Sequence, residues 1–281
     1  MKRAGVIGWP VSHSLSPRLH AFWLREYGIH GAYLPLPVLR EDFSIALRGL
    51  RAAGFAGVNV TLPHKEAAFA LGDSSDDDSS AAGAANLLLF RDGRIEARNT
   101  DVEGLAANLA AEMDTAALQG SSAVVLGAGG AARAAALVCA RLGAADVHVL
   151  NRTRQRADRL VAALAPVALA QLNAGSLDDW PALASATHLL INATSAGLRG
   201  TSSPDVALDA LPQDAVICDL VYDPLETPLL ARARARGLSC VDGLGMLIHQ
   251  AQPAFEAFFG VRPVVTEAVR RHLEEALRDA G

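Results

Sequence analysis

VVLGAGGAAR, at residues 124–133, is the stretch of sequence that decides the fold. Its first three residues are apolar and typical of a buried strand, and the alanine-rich residues after Gly130 predict a helix. A glycine turn between them presents backbone N–H groups and the positive end of the helix dipole to a phosphate. Ala132 stands where the usual G-x-G-x-x-G spacing has its third glycine, so the motif alone is weak. The strand before it and the helix after it support the prediction. The stretch predicts a dinucleotide site at Gly127, Ala128, Gly129, Gly130 and Ala131.

The residues after the next predicted strand indicate whether the cofactor is NAD or NADP. An acidic side chain about twenty residues after the glycines binds the ribose 2′-hydroxyl of NAD, whereas arginine accepts the 2′-phosphate of NADP. Here the strand is followed by NRTRQR at residues 151–156, and Asp146 precedes it at the wrong end. A solvated helix start is the alternative, but arginines at a helix N-terminus oppose the dipole. NADP(H) is the predicted cofactor.

The rest of the chain alternates short β-type runs with helical patterns, which is typical of an α/β protein with largely parallel sheets. Its 281 residues favour two domains. The first series has strands predicted at 5–8, 33–38, 57–60 and 87–90 and helices near 17–27, 41–53 and 65–71. The second series has strands predicted at 123–126, 147–150, 188–191, 215–220 and 238–240. A helix at 101–112 links the series, residues 73–80 form a solvated loop or helix start, and the pattern after 243 is helical.

Composition excludes several classes of protein. Half of the chain, 51%, is hydrophobic, but no apolar run reaches about 18 residues, so a soluble protein without a membrane partner is expected. The apolar stretch after MKR is short, contains Pro10 and lacks a cleavage site, which favours a cytoplasmic location. A net charge of -5 without a basic stripe favours a small-molecule partner over nucleic acid. Cys139, Cys218 and Cys240 lack metal-ligand spacing, which predicts buried reduced thiols and no metal.

Polar residues interrupt the apolar run GVNVTLPHK at residues 57–65. On a strand, Asn59 and Thr61 project from one face. If Pro63 starts a helix, Lys65 lies in its first turn, where the helix dipole disfavours a cation. A functional role for Lys65 is therefore predicted.

Two further polar segments have both structural and functional interpretations. Ser16 before Pro17 predicts a helix N-cap, which leaves the hydroxyl of Ser14 free to bind a ligand. Thr100 and Glu103 predict a capping box, and Asp101 then complements the helix dipole. If Asp101 lies beside Lys65, the two form an acid/base dyad that protonates a carbonyl oxygen as hydride arrives.

In their order, these segments resemble the shikimate dehydrogenase family over nearly the whole chain. The other segments that carry the resemblance are GWP at 8–10, HSLSP at 13–17 with His20, GAAN at 83–86, NTD at 99–101, NRT at 151–153, NATSAG at 192–197, DLVY at 219–222 with Pro224 and TP at 227–228, and DGLGML at 242–247 with Gln250. Each motif is weak alone, but their common order is specific.

The resemblance implies an α/β substrate domain at 1–101 plus 241–281, to which the C-terminal helices return, and a Rossmann-like NADP domain at 102–240. It implies reversible hydride transfer between NADPH and 3-dehydroshikimate to give shikimate, in aromatic amino-acid biosynthesis. Lys65 and Asp101 match the catalytic pair. Implied substrate contacts are Ser14, Ser16, Asn59, Thr61, Lys65, Asn86, Asp101, Tyr222 and Gln250. Implied cofactor contacts are Asn151, Arg152, Thr153, Arg156, Thr194, Ser195, Gly243 and Met246.

Three positions depart from the commoner family pattern: Ala21, Leu87 and Ala97. Leu87 follows Asn86 and is expected to change the shape or hydration of the substrate pocket. A quinate or dual quinate/shikimate dehydrogenase is one alternative, although the arginines argue against NAD-linked quinate oxidation. A folate dehydrogenase and a catalytically silent ligand-binding paralogue are others, and retention of Lys65 and Asp101 argues against the silent paralogue. A monomer and a homodimer are both compatible with the sequence.

Overall fold

The computed structural model describes residues 1–279 as a chain of alternating strands and helices. The strands are β1 (Lys2–Gly8), β2 (Gly31–Pro37), β3 (Gly57–Val60), β4 (Ser74–Ser75), β5 (Leu87–Arg91), β6 (Arg94–Arg98), β7 (Ser122–Leu126), β8 (Asp146–Leu150), β9 (Gln171–Gly175), β10 (Thr187–Asn192), β11 (Val216–Asp219) and β12 (Ser239–Val241). The helices are α1 (Ser16–Glu26), α2 (Phe43–Ala52), α3 (Lys65–Ala70), α4 (Asp77–Ala82), α5 (Asp101–Glu112), α6 (Gly130–Arg141), α7 (Arg154–Leu164), α8 (Trp180–Leu183), α9 (Pro228–Ala235), α10 (Gly243–Phe259) and α11 (Glu267–Asp279).

The described residues divide into two compact units. The first unit comprises Met1–Glu103 and the residues from Leu247 onward, and the second comprises Gly104–Met246. The chain leaves the first unit within α5 and re-enters it within α10. The limits predicted from the sequence, at residues 101 and 241, lie at the start of α5 and in β12. Residues 280 and 281, which that prediction assigns to the substrate domain, lie outside the described residues.

The first unit is built on a mixed sheet with the strand order β2-β1-β3-β5-β6-β4. β1 pairs in parallel with β2 and β3, whereas β5 is antiparallel to both β3 and β6. The β5–β6 hairpin turns at Asp92 and Gly93, whose φ angles are 49° and 75°. Asp-Gly is a preferred pair for a tight hairpin turn, which needs positive φ at both positions. β1 ends just before the loop that carries Ser14, and β3 ends just before the turn that leads into α3 at Lys65.

The second unit is built on a parallel sheet with the strand order β12-β11-β10-β7-β8-β9. From β7 the chain adds β8 and β9 on one side and then β10 to β12 on the other. The strand order therefore reverses between β7 and β10, which is where open α/β sheets bind ligands at their carboxyl edge. Gly127 follows β7 at this edge, and the loop beginning at Ala193 follows β10.

The structure confirms the predicted α/β class with two domains, and β3 and α5 have the predicted bounds. The sequence prediction omitted β6 and β9, and residues 73–80 contain β4 and the start of α4. β6 reads RIEAR and β9 reads QLNAG, so β6 has a single β-branched residue, Ile95, and β9 has none, and neither strand has an aromatic residue to mark it locally. Pairing with a neighbouring strand stabilises them instead. For β6, the Asp-Gly pair at residues 92–93 was the signal that could have found the hairpin.

Within residues 1–279, no helix has both the length and the apolar character needed to cross a membrane. The same residues contain no group of three or more His, Cys, Asp or Glu that could hold a metal ion. The three cysteines are free thiols. Cys139 and Cys218 are buried as predicted, and burial raises the pKa of Cys139 to about 12. The predicted burial is wrong for Cys240, which is half-buried at the sheet edge.

The first unit contains a buried aromatic cluster with His20 at its centre. The His20 ring stacks on Tyr33, with centroids 3.8 Å apart and planes 6° from parallel. Trp23 and Phe255 contact the same ring. Within the described residues, neither ring nitrogen of His20 has a hydrogen-bond partner. Burial therefore lowers the pKa of His20 from 6.5 to about 3, and the imidazole is neutral at physiological pH.

His20 should make the free energy of unfolding depend on pH. Between pH 6.5 and about 3 the unfolded chain binds a proton at His20 that the folded chain does not. Stability contributed by the neutral imidazole is therefore lost as pH falls through this window, by up to about 1.4 kcal/mol per pH unit. Urea unfolding at several pH values should show a shallower acid loss in His20→Phe than in the wild type. His30→Phe, which removes an exposed imidazole, is the control. An equally shallow acid loss of stability in His30→Phe would contradict the assignment of this pH dependence to His20.

Candidate active site

Lys65 and Asp101 form a largely buried ion pair in the first unit. Lys65 Nζ lies 2.6 Å from Asp101 Oδ2, and the two side chains are 14% and 5% exposed. Asp101 Oδ1 accepts a second hydrogen bond, at 2.8 Å, from Asn86 Nδ2. Both carboxylate oxygens are thus engaged, which fixes the orientation of the carboxylate under the ammonium. The two residues that the sequence suggested as a dyad are in contact.

The start of α3 places Lys65 at this position. Pro63 does not start the helix, because it lies in a turn closed by a hydrogen bond from His64 N to Thr61 O at 3.0 Å, and the helix instead matches the range predicted near 65–71. The helix begins at Lys65 itself. His64 Nε2 donates to Val38 O at 2.9 Å, and its ring stacks on Phe43 at 4.5 Å. These contacts anchor the residue before Lys65 to the core of the first unit.

Asn86 is the centre of the hydrogen bonds around the pair. Besides Asp101, its Nδ2 lies 2.9 Å from Thr100 Oγ1 and 3.3 Å from Gln250 Oε1. Its Oδ1 accepts from Thr100 N at 2.7 Å. Three predicted substrate residues, Asn86, Asp101 and Gln250, therefore lie together in one buried network. Such a network holds each member in a single orientation, because a buried polar group that loses its partner is costly.

The start of α5 differs from its prediction. Thr100 Oγ1 donates to Asn86 Oδ1 at 3.2 Å, while Asp101 N donates to Asn99 Oδ1 at 3.0 Å. Glu103 forms an ion pair with Arg262. The predicted capping box of Thr100 and Glu103 is therefore wrong, because Asn86 and Arg262 provide these side chains with tertiary partners. Thr100 belongs to the polar network of the site.

The serine loop also differs in its capping. α1 begins at Ser16 after Leu15, and the Ser16 side chain is not the cap that was predicted. Ser14 Oγ accepts from Ser16 N at 3.3 Å instead, so its oxygen is in use while its proton can still be donated to a ligand. Thr61 lies against the end of β1, since a Cβ on Gly8 would approach Thr61 Cγ2 to 2.4 Å. Thr61 therefore adjoins the strand that leads into the serine loop.

Asn59 is joined to the same network through Asn86, and its second partner, Tyr33, is a residue that the sequence analysis did not single out. Its Nδ2 donates to Asn86 O at 3.2 Å, and its Oδ1 accepts from the hydroxyl of Tyr33 at 2.8 Å. Tyr33 is on β2 and Asn59 on β3, with β1 between them. Thr100 had a visible signal, because it stands next to Asp101 in NTD. Tyr33 had none, since only the fold brings it to Asn59.

The predicted cofactor residues all lie in the second unit, and several line one cavity of about 430 Å³. The predicted contacts in its wall are Gly127, Asn151, Arg152, Thr194 and Ser195. Gly127 has a φ of 110°, and a Cβ there would lie 3.0 Å from Ala193 O. A side chain is thus disfavoured by both conformation and space. The next turn leads into α6 at Gly130, whose first N–H groups have no acceptor within the helix and suit the binding of a phosphate.

The three arginines after β8 have different surroundings. Arg152 lines the cavity that contains Gly127. Arg154 is the first residue of α7, pairs with Asp158 at 3.8 Å and lines a separate cavity with His148. Arg156 is exposed on α7. Asp146 is the first residue of β8, so it lies at the end of the strand opposite these arginines. The residues present therefore fit a 2′-phosphate, with Arg152 placed best to bind it.

A buried carboxylate organises the loop after β10. Asn192 Oδ1 accepts from Thr194 N at 3.1 Å, and Asn192 Nδ2 donates to Asp219 Oδ1 at 2.8 Å. Thr227 Oγ1 donates to Asp219 Oδ2 at 2.6 Å. Burial raises the pKa of Asp219 above its usual value, and the hydrogen bonds from Thr227 and Asn192 offset only part of this rise. The loop with Thr194 and Ser195 is therefore held by a network that the sequence analysis did not assign to it.

Three further predicted residues belong to the second unit but do not line this cavity. Gly243 begins α10, and a Cβ there would lie 2.4 Å from Leu220 O, so the close approach requires glycine. Met246 is buried in the second unit. Tyr222 also belongs to the second unit, whereas the other predicted substrate residues are in the first. The cavity walls do not include Ala128, Gly129, Gly130, Ala131, Thr153 or Arg156.

Two of the three departures from the family pattern, Leu87 and Ala97, are buried in the first unit, whereas Ala21 is half-buried on α1. Ala97 is buried among Val58, Leu88 and their neighbours. Leu87 is 1% exposed and stands directly opposite Asn59 in the antiparallel β3–β5 register. Opposed residues in such a pair place their side chains on the same face. Leu87 therefore packs beside Asn59. This position agrees with the expectation that Leu87 shapes the substrate pocket.

Comparison with known proteins agrees with this geometry. Residues 6–88 match the shikimate dehydrogenase substrate binding domain, 109–212 match shikimate / quinate 5-dehydrogenase, and 243–274 match the shikimate 5′-dehydrogenase C-terminal domain. Shikimate dehydrogenase (NADP(+)) of Paramagnetospirillum magneticum is 49% identical, covering 95% of this chain and 96% of that one. Its alignment extends over both units.

Solved structures show the same fold. Shikimate 5-dehydrogenase from Thermus thermophilus, in complex with NADP(H) and shikimate, is 37% identical with a TM-score of 0.84 and covers 100% of both chains. Quinate dehydrogenase from Corynebacterium glutamicum, in complex with NAD, is 28% identical with a TM-score of 0.87, covering 98% of this chain and 99% of that one.

Proposed function

The chain belongs to the shikimate dehydrogenase family, and we propose that it catalyses the reversible NADP-dependent oxidation of shikimate to 3-dehydroshikimate. It is an oxidoreductase acting on a CH–OH group. The observation that carries the proposal is the buried contact of Lys65 with Asp101 inside the network of Asn86, Thr100 and Gln250. This arrangement offers a proton donor and several hydroxyl-binding groups at one place.

Lys65 and Asp101 handle the proton of the reaction. When bound, NADPH supplies the hydride that reaches the carbonyl carbon. The ammonium of Lys65 donates a proton to the oxygen of that carbonyl as negative charge develops on it, so that a neutral hydroxyl is formed. Asp101 holds the ammonium at 2.6 Å and keeps it aimed at this oxygen. In the oxidation direction, Lys65 takes the hydroxyl proton back.

Polar side chains of the first unit orient the ring of the substrate. Ser14 and Ser16 are assigned to the carboxylate, and Asn59, Asn86, Asp101 and Gln250 to the hydroxyls. A site built from such groups rejects analogues that lack a hydroxyl, because buried donors and acceptors would be left unpaired. Thr61 completes this set beside the serine loop. A contact of Tyr222 with the substrate stays a prediction.

The cofactor residues of the second unit bind and orient NADP(H). The N–H groups at the start of α6 contact the pyrophosphate, and Arg152 and Arg156 bind the 2′-phosphate. Asn151, Thr153, Thr194, Ser195, Gly243 and Met246 are proposed as further contacts. The cytoplasmic location, the place in aromatic amino-acid biosynthesis and the monomeric or homodimeric state are also proposals.

Initial rates with shikimate and quinate, each paired with NADP and NAD, test the proposed function. Shikimate with NADP should give the highest kcat/KM, because Arg152 lines the cofactor cavity and residues 151–156, directly after β8, contain no carboxylate. A higher kcat/KM for quinate with NAD would support the quinate alternative. No turnover in any of the four pairs, with shikimate still bound, would support a catalytically silent paralogue.

A further inference from the structure

Asn59 has a fixed amide orientation that can be assigned from its two partners. Asn86 O, 3.2 Å from Asn59 Nδ2, is a backbone carbonyl and can only accept a hydrogen bond. The nitrogen must therefore face Asn86, and Oδ1 faces Tyr33. It follows that Tyr33 donates its single hydroxyl proton to Asn59 Oδ1, across 2.8 Å. Nδ2 carries two protons, so the proton that is not directed at Asn86 can be given to a ligand.

We propose that Tyr33 is a positioning residue for substrate binding, which holds the amide of Asn59 so that its second N–H is directed at a substrate hydroxyl. This inference rests on the proposed function. Without the Tyr33 hydroxyl, Asn59 retains only the hydrogen bond to Asn86, and its amide is free to rotate about that one contact. Tyr33 itself does not have to touch the substrate.

The surroundings of Tyr33 explain how its hydroxyl is held in place. Tyr33 is 6% exposed, and its ring is stacked on the neutral imidazole of His20 at 3.8 Å. The ring centroid of Phe258 lies 6.3 Å from that of Tyr33. Burial raises the pKa of Tyr33 well above its usual value, so the hydroxyl keeps the proton that it donates. The aromatic cluster thus holds the Tyr33 ring rigidly, so that its hydroxyl stays in hydrogen-bond contact with Asn59.

Tyr33→Phe tests the proposal because it removes the hydroxyl and keeps the ring and its stacking. The dissociation constant for shikimate should rise by roughly 3- to 10-fold, which is the usual value of one buried hydrogen bond. The KM for NADP and kcat should stay within about twofold. Tyr27→Phe is the matched control, since it also removes a hydroxyl of the first unit, one that accepts from Val264 N at 3.0 Å. Shikimate binding by Tyr27→Phe should equal that of the wild type.

A double-mutant cycle separates positioning through Asn59 from other roles. If Tyr33 acts through Asn59, Tyr33→Phe should have no further effect on shikimate binding in an Asn59→Ala background. Effects that multiply in the double variant would overturn the proposal, as would unchanged binding in Tyr33→Phe when Asn59→Ala binds weakly. In both cases the proposed function stands. Wild-type protein that neither binds nor oxidises shikimate would instead overturn the proposed function and this inference with it.

Discussion

Lys65→Ala is expected to lower kcat for shikimate oxidation by roughly 10²- to 10⁴-fold, the usual contribution of general acid/base catalysis. Lys65 is the cation paired with Asp101 at 2.6 Å, so its removal leaves the substrate oxygen without a proton donor or acceptor. The KM for shikimate should change less than kcat, because Asn86, Asn59 and Gln250 still bind the ring. Steady-state rates at saturating NADP measure both parameters.

Two variants control for charge and for general effects of losing a lysine. Lys65→Arg keeps a positive charge beside Asp101, but a guanidinium does not release its proton in proteins, so kcat should stay low. Lys2 is the only other lysine in the sequence, and its Nζ lies 3.4 Å from Phe259 O. Lys2→Ala should keep wild-type kcat. Near wild-type kcat in a folded Lys65→Ala variant that binds NADP would contradict the catalytic assignment.

Replacing Arg152 and Arg156 by glutamine is expected to raise the KM for NADP by roughly 10- to 100-fold, the value of one charge-assisted hydrogen bond or more. The KM for NAD should change little, because NAD lacks the 2′-phosphate. Arg152 lines the cavity that includes Gly127 and Thr194, so most of the effect should come from this residue. Initial rates with each cofactor at saturating shikimate measure the two constants.

Arg154 supplies the matched control for this prediction. It belongs to the same segment, but it pairs with Asp158 and lines a different cavity. Arg154→Gln should therefore leave the preference for NADP unchanged. Equal increases in KM for NADP and NAD after replacement of Arg152 and Arg156 would show that neither residue binds the phosphate.

Much of the second unit could be predicted because its signals are local. The apolar strand, the glycine turn and the alanine-rich helix adjoin one another in the sequence, and β7, Gly127 and α6 follow in that order. The arginines after β8 are equally local. The loop after β10 was assigned only from the family resemblance, since Asp219 and Thr227, which stabilise it, are distant in sequence.

The first unit was harder to predict because tertiary partners override local capping rules. Ser16 and Thr100 both had the sequence of an N-cap, yet Ser14 and Asn99 bond the backbone at these helix starts. The contact of Tyr33 with Asn59 depends on the order of the strands, which no single segment specifies. The pairing of Lys65 with Asp101 spans 36 residues, and the sequence could propose it only as a possibility.

A double-mutant cycle on kcat, with Lys65→Ala, Asp101→Asn and the double variant, tests the central claim most directly. The claim is that Lys65 and Asp101 act as one catalytic unit, because the carboxylate works by holding the ammonium. Each single variant should lose most of kcat, and the double variant should lose little more than Lys65→Ala alone, since residues that act together are non-additive. A double variant whose loss equals the product of the two single losses would contradict the claim.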